Sequence, residues 1–186
     1  MRELVAAVRA ANVSRNPYAA LVTAVTLPDA CAAMEAADGK TSGKRYAAWW
    51  ERYAVAGFTH KWDDPNKAPE VYVTGGDAYA LRCAVLHEAS DSLVGQRARQ
   101  NVEHFRFVQP ANPKANFGTS TGEGFVVLHV DRFTEEVCLG VERWLEDVKG
   151  NDVVQERLRV SLYIDDVPDN RLTIPWPEGD GWRSGR

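Results

Sequence analysis

The stretch Asp77-Ala78-Tyr79-Ala80-Leu81-Arg82-Cys83-Ala84-Val85-Leu86-His87-Glu88-Ala89-Ser90-Asp91 decides the fold. Gly75 and Gly76 break the segment before it, and Asp77 is placed to accept the first free backbone N–H groups as an N-cap. Leu81, Val85 and Ala89 recur at intervals of four, flanked by Ala78 and Leu86. An apolar side that broad predicts a helix packed inside a bundle. Arg82 and His87 stand in this mostly apolar helix. An unpaired guanidinium is costly to bury. Arg82 therefore requires a carboxylate, a helix C-terminus or a polar cleft.

The chain around this stretch has 186 residues, 45% hydrophobic and 26% charged, which suits one folded domain with a real core. Its net charge of −4 and pI near 5.6 provide no global positive field to steer nucleic acid. RNA binding would need a local basic cleft. Cys31, Cys83 and Cys138 make an odd set in apolar helical contexts, so reduced, buried thiols and a cytoplasmic location are expected. The segment from Met1 to Val13 has one short apolar patch interrupted by Arg9 and lacks the form of a signal peptide. No run is read as reaching the ~18–20 apolar residues of a membrane span, so no membrane association is expected.

Upstream, residues 3–13 read as a short amphipathic helix with Leu4, Val5 and Val8 inward. Asn16-Pro17 marks a helix start. That helix runs to Pro28, which either kinks it or begins a new one, and Asp38-Gly39-Lys40 ends the segment. Ser42 caps a helix from Gly43 to about Val55. Tyr46, Trp49, Trp50 and Tyr53 give it one aromatic face, read as core in preference to a partner-binding or base-stacking surface. Residues 57–76 form a loop with one extended segment at Val71–Val73.

Downstream, residues 92–104 are polar. Phe105–Gln109 and Phe125–Val130 read as two strands of a hairpin with a long connection. Asp131 is read as the cap of an amphipathic helix with the stripe Phe133, Val137, Val141, Trp144, Leu145 and Val148, and Gly150 as its left-handed stop. Leu158, Val160, Leu162 and Ile164 alternate with Arg159, Ser161 and Tyr163 as a strand. Together these describe a single α+β, mainly α, domain. A helical bundle spans about 3–104 and 131–150, a small antiparallel sheet spans about 105–130 and 156–164, and a polar tail spans about 177–186.

Several short patterns carry chemistry. Arg82 and His87 are spaced R-x4-H, and Arg99 and His104 repeat that spacing. A near-neutral imidazole can take or give a proton at a ribose hydroxyl or leaving oxygen, and a guanidinium can hold the phosphate. One imidazole does not easily serve both transfers, so a symmetric dimer is the natural arrangement. On an α-helix, however, positions five apart lie about 140° apart around the axis. The competing reading pairs Arg82 with a buried carboxylate, Asp29 being the candidate, and leaves His87 as a satisfied core residue.

Gly118-Thr119-Ser120-Thr121-Gly122 matches G-x-S-x-G, but the strand-turn-helix context of a hydrolase elbow is missing and a hairpin loop is favoured. Gly39-Lys40-Thr41 resembles the end of a P-loop yet follows a helix and reads as a turn. The four histidines are scattered, so no metal site and no cofactor are expected.

The segment Tyr79–Glu88 resembles the R-x4-6-H helix of HEPN domains, small helical bundles that commonly dimerise through that helix. The segments GKRYAAWWERY and VDRF…VERW resemble stand-alone bacterial HEPN-like proteins. The resemblance implies a HEPN-like bundle and a metal-independent endoribonuclease of toxin–antitoxin or phage-defence type, acting as a homodimer on RNA and paired with an antitoxin or regulator. Arg82 would bind phosphate and His87 would act as general acid/base, with Glu88, Asp91 and Tyr79 supporting. Cys83 stands where ribonuclease members usually carry a polar residue. A catalytically inactive, binding-only member is therefore the second expectation.

Overall fold

The most apolar helix among the described residues is the hub of the fold. The computed structural model describes residues 1–90, 92–109, 120–122 and 124–161. Helix α1 spans Arg2–Val13, α2 Pro17–Glu35 and α3 Gly43–Tyr53, and a 3-10 turn follows at Val55–Phe58. Strands β1, Thr59–His60, and β2, Glu70–Val71, make a minimal antiparallel pair. Helix α4, Gly75–Cys83, runs into a π turn at Ala84–Glu88. Strand β3 is His104–Val108, β4 Ser120–Gly122 and β5 Phe125–His129. Helix α5, Val130–Asp147, and helix α6, Asp152–Arg159, complete the described residues. The protein is mainly α with a little β, as the periodicities predict.

Helix α2 starts where Asn16 Oδ1 accepts from Ala19 N at 3.1 Å, with Pro17 in the first turn. It packs against α1, α3, α4, α5 and α6. Pro28 neither ends nor splits it. The proline is buried inside a continuous helix, where packing on several sides outweighs the lost backbone hydrogen bond. By length and composition, with mean hydropathy 1.2, α2 is apolar enough to cross a membrane, contrary to the expectation that no run reaches that length. Here Ala20, Ala24, Val25, Leu27 and Cys31 are buried in the bundle.

The aromatic face of α3 is core, as expected. Tyr46 donates to Val25 O at 3.1 Å, Trp50 Nε1 to Val73 O at 3.1 Å, and Tyr53 to Asp147 Oδ2 at 2.6 Å. Trp50 stacks on Phe58 with ring centroids 4.7 Å apart, and Phe58 leans on Phe133 at 5.4 Å. Every residue of the α5 stripe is buried.

Four local expectations are corrected. The sheet is mixed, not purely antiparallel. Strand β5 lies in the middle, parallel to β3 (Phe105↔Val126) and antiparallel to β4 (Thr121↔Val126). The polar segment Ser120–Gly122 takes the hairpin position beside β5, reached through Gly124 at φ +68°, and β3 pairs on the opposite edge. The strand expected over 156–164 begins as helix α6. Asn151 Oδ1 caps it from Val154 N at 3.2 Å, and Asp152 and Arg157 sit at the ends that the helix dipole favours; residues 162–164 and the tail at 177–186 lie outside the described residues. Asp131 does not cap α5, which begins one residue earlier after His129; the carboxylate accepts from Arg132 N at 2.9 Å. Gly150 is not left-handed: among the described residues, positive φ occurs at Arg15, Gly39, Ala89 and Gly124.

Candidate functional site

The helix carrying Arg82 begins three residues before the turn its sequence suggested. Thr74, not Asp77, is its N-cap, and Gly75 and Gly76 lie inside its first turn. Thr74 Oγ1 and Asp77 form a reciprocal capping box. Gly75 is required by proximity: a Cβ there would lie 2.5 Å from Ala47 O, so α3 and α4 touch backbone to backbone. Asp77 is fully buried and gathers the polar segment that follows. Its Oδ1 accepts from Gln100 N, Asn101 N and Val102 N at 2.7, 3.0 and 3.1 Å.

Helix α4 buries Ala78, Ala80, Leu81 and Ala84 against its neighbours, while Val85 is half-buried and Ala89 exposed. It therefore lies on the flank of the bundle, not in its interior. That placement puts Arg82 at the surface, with its side chain 22% exposed.

The π turn removes the geometrical objection to the R-x4-H pair. It widens the helix from Ala84, two residues after Arg82, with i→i+5 hydrogen bonds that bring residues five apart closer around the axis than an α-helix does. Ala89, at φ +49° and ψ +38°, then ends the turn. Arg82 Nη1 lies 3.2 Å from His87 Nε2, and His87 is exposed. A guanidinium can only donate, so in this contact Nε2 is the lone-pair nitrogen and the ring proton sits on Nδ1.

The far side of the guanidinium is anchored. Arg82 Nε donates to Asp29 Oδ2 at 2.6 Å, and Thr41 Oγ1 donates to Asp29 Oδ1 at 3.1 Å. The Asp29 side chain is 13% exposed. Partial burial opposes the charge on Arg82, but the hydrogen bond and charge of Asp29 outweigh it and hold the guanidinium pKa above its ordinary value. The competing reading is thus realised in part. Arg82 has the Asp29 partner, yet it is not deep in the core, and His87 is no core residue.

The remaining candidates separate. Tyr79 is half-buried, edge-on to Tyr46 at 5.5 Å; burial, then the neighbouring Cys83 thiol, push its hydroxyl pKa up. Glu88 accepts from Gln96 Nε2 at 2.8 Å. Asp91 lies outside the described residues. Arg99 pairs with Glu103 at 2.9 Å, while His104 rests beside Phe125, so the second R-x4-H spacing brings nothing together. The residue that spacing alone could not supply is Thr41, in the turn after Gly39 at φ +66°. Nothing in the Gly39-Lys40-Thr41 pattern, read as a turn, pointed to Asp29.

Of the Gly118–Gly122 pattern, only Ser120–Gly122 falls within the described residues, as strand β4. Among the described residues, no group of three His, Cys, Asp or Glu could hold a metal ion, and all three cysteines are free. The chain matches no protein-family model, no curated protein and no solved structure.

Proposed function

We propose that the Arg82–His87 pair is a phosphodiester site and that the protein is a HEPN-like, metal-independent endoribonuclease. The observation that carries this reading is the 3.2 Å contact between Arg82 Nη1 and His87 Nε2 at the molecular surface, with Nε of the same guanidinium anchored on Asp29. A guanidinium held through Nε keeps its Nη edge directed outward for two phosphate oxygens. When phosphate takes that edge, Nη1 leaves His87 and its Nε2 lone pair becomes available as a base. His87 then takes the proton of the ribose 2′-hydroxyl as the 2′-oxygen bonds to phosphorus. The P–O5′ bond breaks, and the leaving oxygen takes a proton from a second imidazole, which a second copy of the chain would supply. On this reading the protein works in the reducing cytoplasm, on RNA, under the control of an antitoxin-like regulator.

A second reading is a binding-only HEPN-like protein. It is favoured by Asp29, which offsets the Arg82 charge, and by Cys83 in the position after the arginine. The two separate in one experiment: cleavage and binding of single-stranded RNA in EDTA by wild type, His87→Ala and Arg82→Ala. The nuclease reading expects cleavage by wild type and its loss in both variants. RNA bound but uncut, with binding lost in Arg82→Ala, leaves the second reading. RNA neither cut nor bound removes both.

A further inference from the structure

A carboxylate facing an arginine frequently closes on it as a fork, with two parallel hydrogen bonds to two guanidinium nitrogens. Asp29 does not. Its Oδ2 takes Arg82 Nε at 2.6 Å, Nη1 lies against His87, and Nη2 donates to no oxygen among the described residues. An aspartate carboxylate turns readily about χ2. A contact through one oxygen therefore has to be held in place from the other side.

The holding group is at the second oxygen. Thr41 Oγ1 donates to Asp29 Oδ1 at 3.1 Å. The turn that carries Thr41 is set by other bonds. Gly39 reverses the chain at φ +66°. Lys40 N donates to Asp38 Oδ1 at 3.1 Å, and Arg45 Nη1 bridges Asp38 Oδ1 at 2.7 Å and Lys40 O at 2.6 Å. Ser42, not Thr41, caps α3, its Oγ accepting from Arg45 N at 3.3 Å. Among the described residues, the Thr41 side chain has the Asp29 bond and no other, and the residue is exposed. Such a bond adds modestly to stability. What it decides is where the Asp29 oxygens point.

We infer that Thr41 is a positioning residue for Arg82. By holding Oδ1 it keeps Asp29 on Nε alone and leaves the Nη edge to His87 and an incoming phosphate. Without the hydroxyl, Oδ1 turns onto Nη2, completes the fork and offsets the guanidinium charge more fully. This deepens the phosphodiester reading of the Arg82–His87 pair and rests on it only for the effect on RNA.

A bracing role and a positioning role predict opposite signs. If the hydroxyl merely braces the ion pair, Thr41→Val weakens the coupling between Asp29 and Arg82. If it keeps the fork open, Thr41→Val strengthens that coupling. The experiment is the Asp29→Asn and Arg82→Met double-mutant cycle, by denaturant unfolding of the full chain, repeated in Thr41→Val and Thr41→Ser backgrounds. The coupling, as a ratio of unfolding equilibrium constants, is expected to rise about three- to tenfold in Thr41→Val and to stay at the wild-type value in Thr41→Ser. A coupling that falls or stays level in Thr41→Val overturns the inference, and so does a serine variant that behaves like the valine one. Binding of a fluorescein-labelled single-stranded RNA in EDTA is measured on the same samples. Thr41→Val is expected to lose about tenfold in affinity, with Thr41→Ser retaining it. RNA bound equally well by wild type and Thr41→Val overturns the inference too. RNA left unbound by wild type removes the phosphodiester reading, and the coupling alone then decides the role of Thr41.

Discussion

Arg82 and Asp29 are 53 residues apart in sequence and meet at 2.6 Å between Nε and Oδ2, tying α4 to the middle of α2. The pair is neither a solvated surface bridge nor a sealed core one, with side chains 22% and 13% exposed. Its strength should fall between those limits. Arg82→Met and Asp29→Asn should each cost about 1–3 kcal/mol in denaturant unfolding, with a coupling of about 1–2 kcal/mol in the double-mutant cycle. A coupling near zero would mean that the two side chains do not hold each other, and the anchored-guanidinium account would go with it.

The contact between Arg82 Nη1 and His87 Nε2 fixes a tautomer. In water, neutral imidazole favours the proton on Nε2. His87 should instead carry it on Nδ1, visible in the long-range 15N–1H correlations of the ring at pH 8. Arg82→Ala should return the ring to the solution preference. His87 already on Nε2–H in wild type would dissolve the pair.

The exit of the π turn offers an independent check on the same geometry. Ala89 holds φ +49° with a side chain that disfavours that region. Ala89→Gly should stabilise the fold by about 0.5–1 kcal/mol, read as a rise in thermal midpoint without loss of the Arg82–His87 contact.

What the sequence reveals divides along one physical line. Helices α3 and α5 declare themselves because a 3.6-residue apolar period is a local property, and all of Phe133, Val137, Val141, Trp144, Leu145 and Val148 are buried. Arg82, His87 and Asp29 could be named from residue type and spacing. So could the pairing of Arg82 with Asp29, but the approach of His87 to Arg82 could not, because it depends on a π turn that ends in an alanine at positive φ, and alanine does not announce that conformation. The T-x-x-D pattern at Thr74–Asp77 was readable as a capping box, but the glycines between drew the boundary too late. The alternation around Leu158 hid a helix because Asn151-Asp152 supplies an N-terminal signal that the period-two reading ignores. Strand β4 is short and polar, and only pairing with β5 makes it a strand. That pairing places β3 on the far edge of β5, running in the same direction.

Asp77 should be the most sensitive position outside the hydrophobic core. Its carboxylate is buried and accepts from three consecutive backbone N–H groups as well as from Thr74 Oγ1 at 2.6 Å. Asp77→Ala would orphan those donors and should cost about 3–5 kcal/mol. Hydrogen exchange should speed up selectively at Gln100–Val102, not throughout α5. Uniform exchange across the molecule would show that Asp77 does not act locally.

Buried thiols give the fold an alkaline limit. Cys138 is fully enclosed; burial, followed by the nearby Glu135 carboxylate, pushes its pKa from 9.0 up to about 12. Above the unfolded value the denatured chain releases this proton while the native chain keeps it. The unfolded state then binds fewer protons, so unfolding becomes easier as pH rises. This contribution is intact below about pH 9 and is lost progressively towards pH 12. Cys31 and Tyr46, both raised chiefly by burial, act in the same direction. Cys138→Ala removes one such group. At pH 7.5 it should cost stability through the small cavity it leaves, yet between pH 9.5 and 11 its unfolding free energy should fall less steeply than that of wild type, by up to about 1.4 kcal/mol per pH unit. Parallel curves for the two proteins over that range would place the Cys138 proton outside the linkage and leave the alkaline limit to the tyrosines and Cys31.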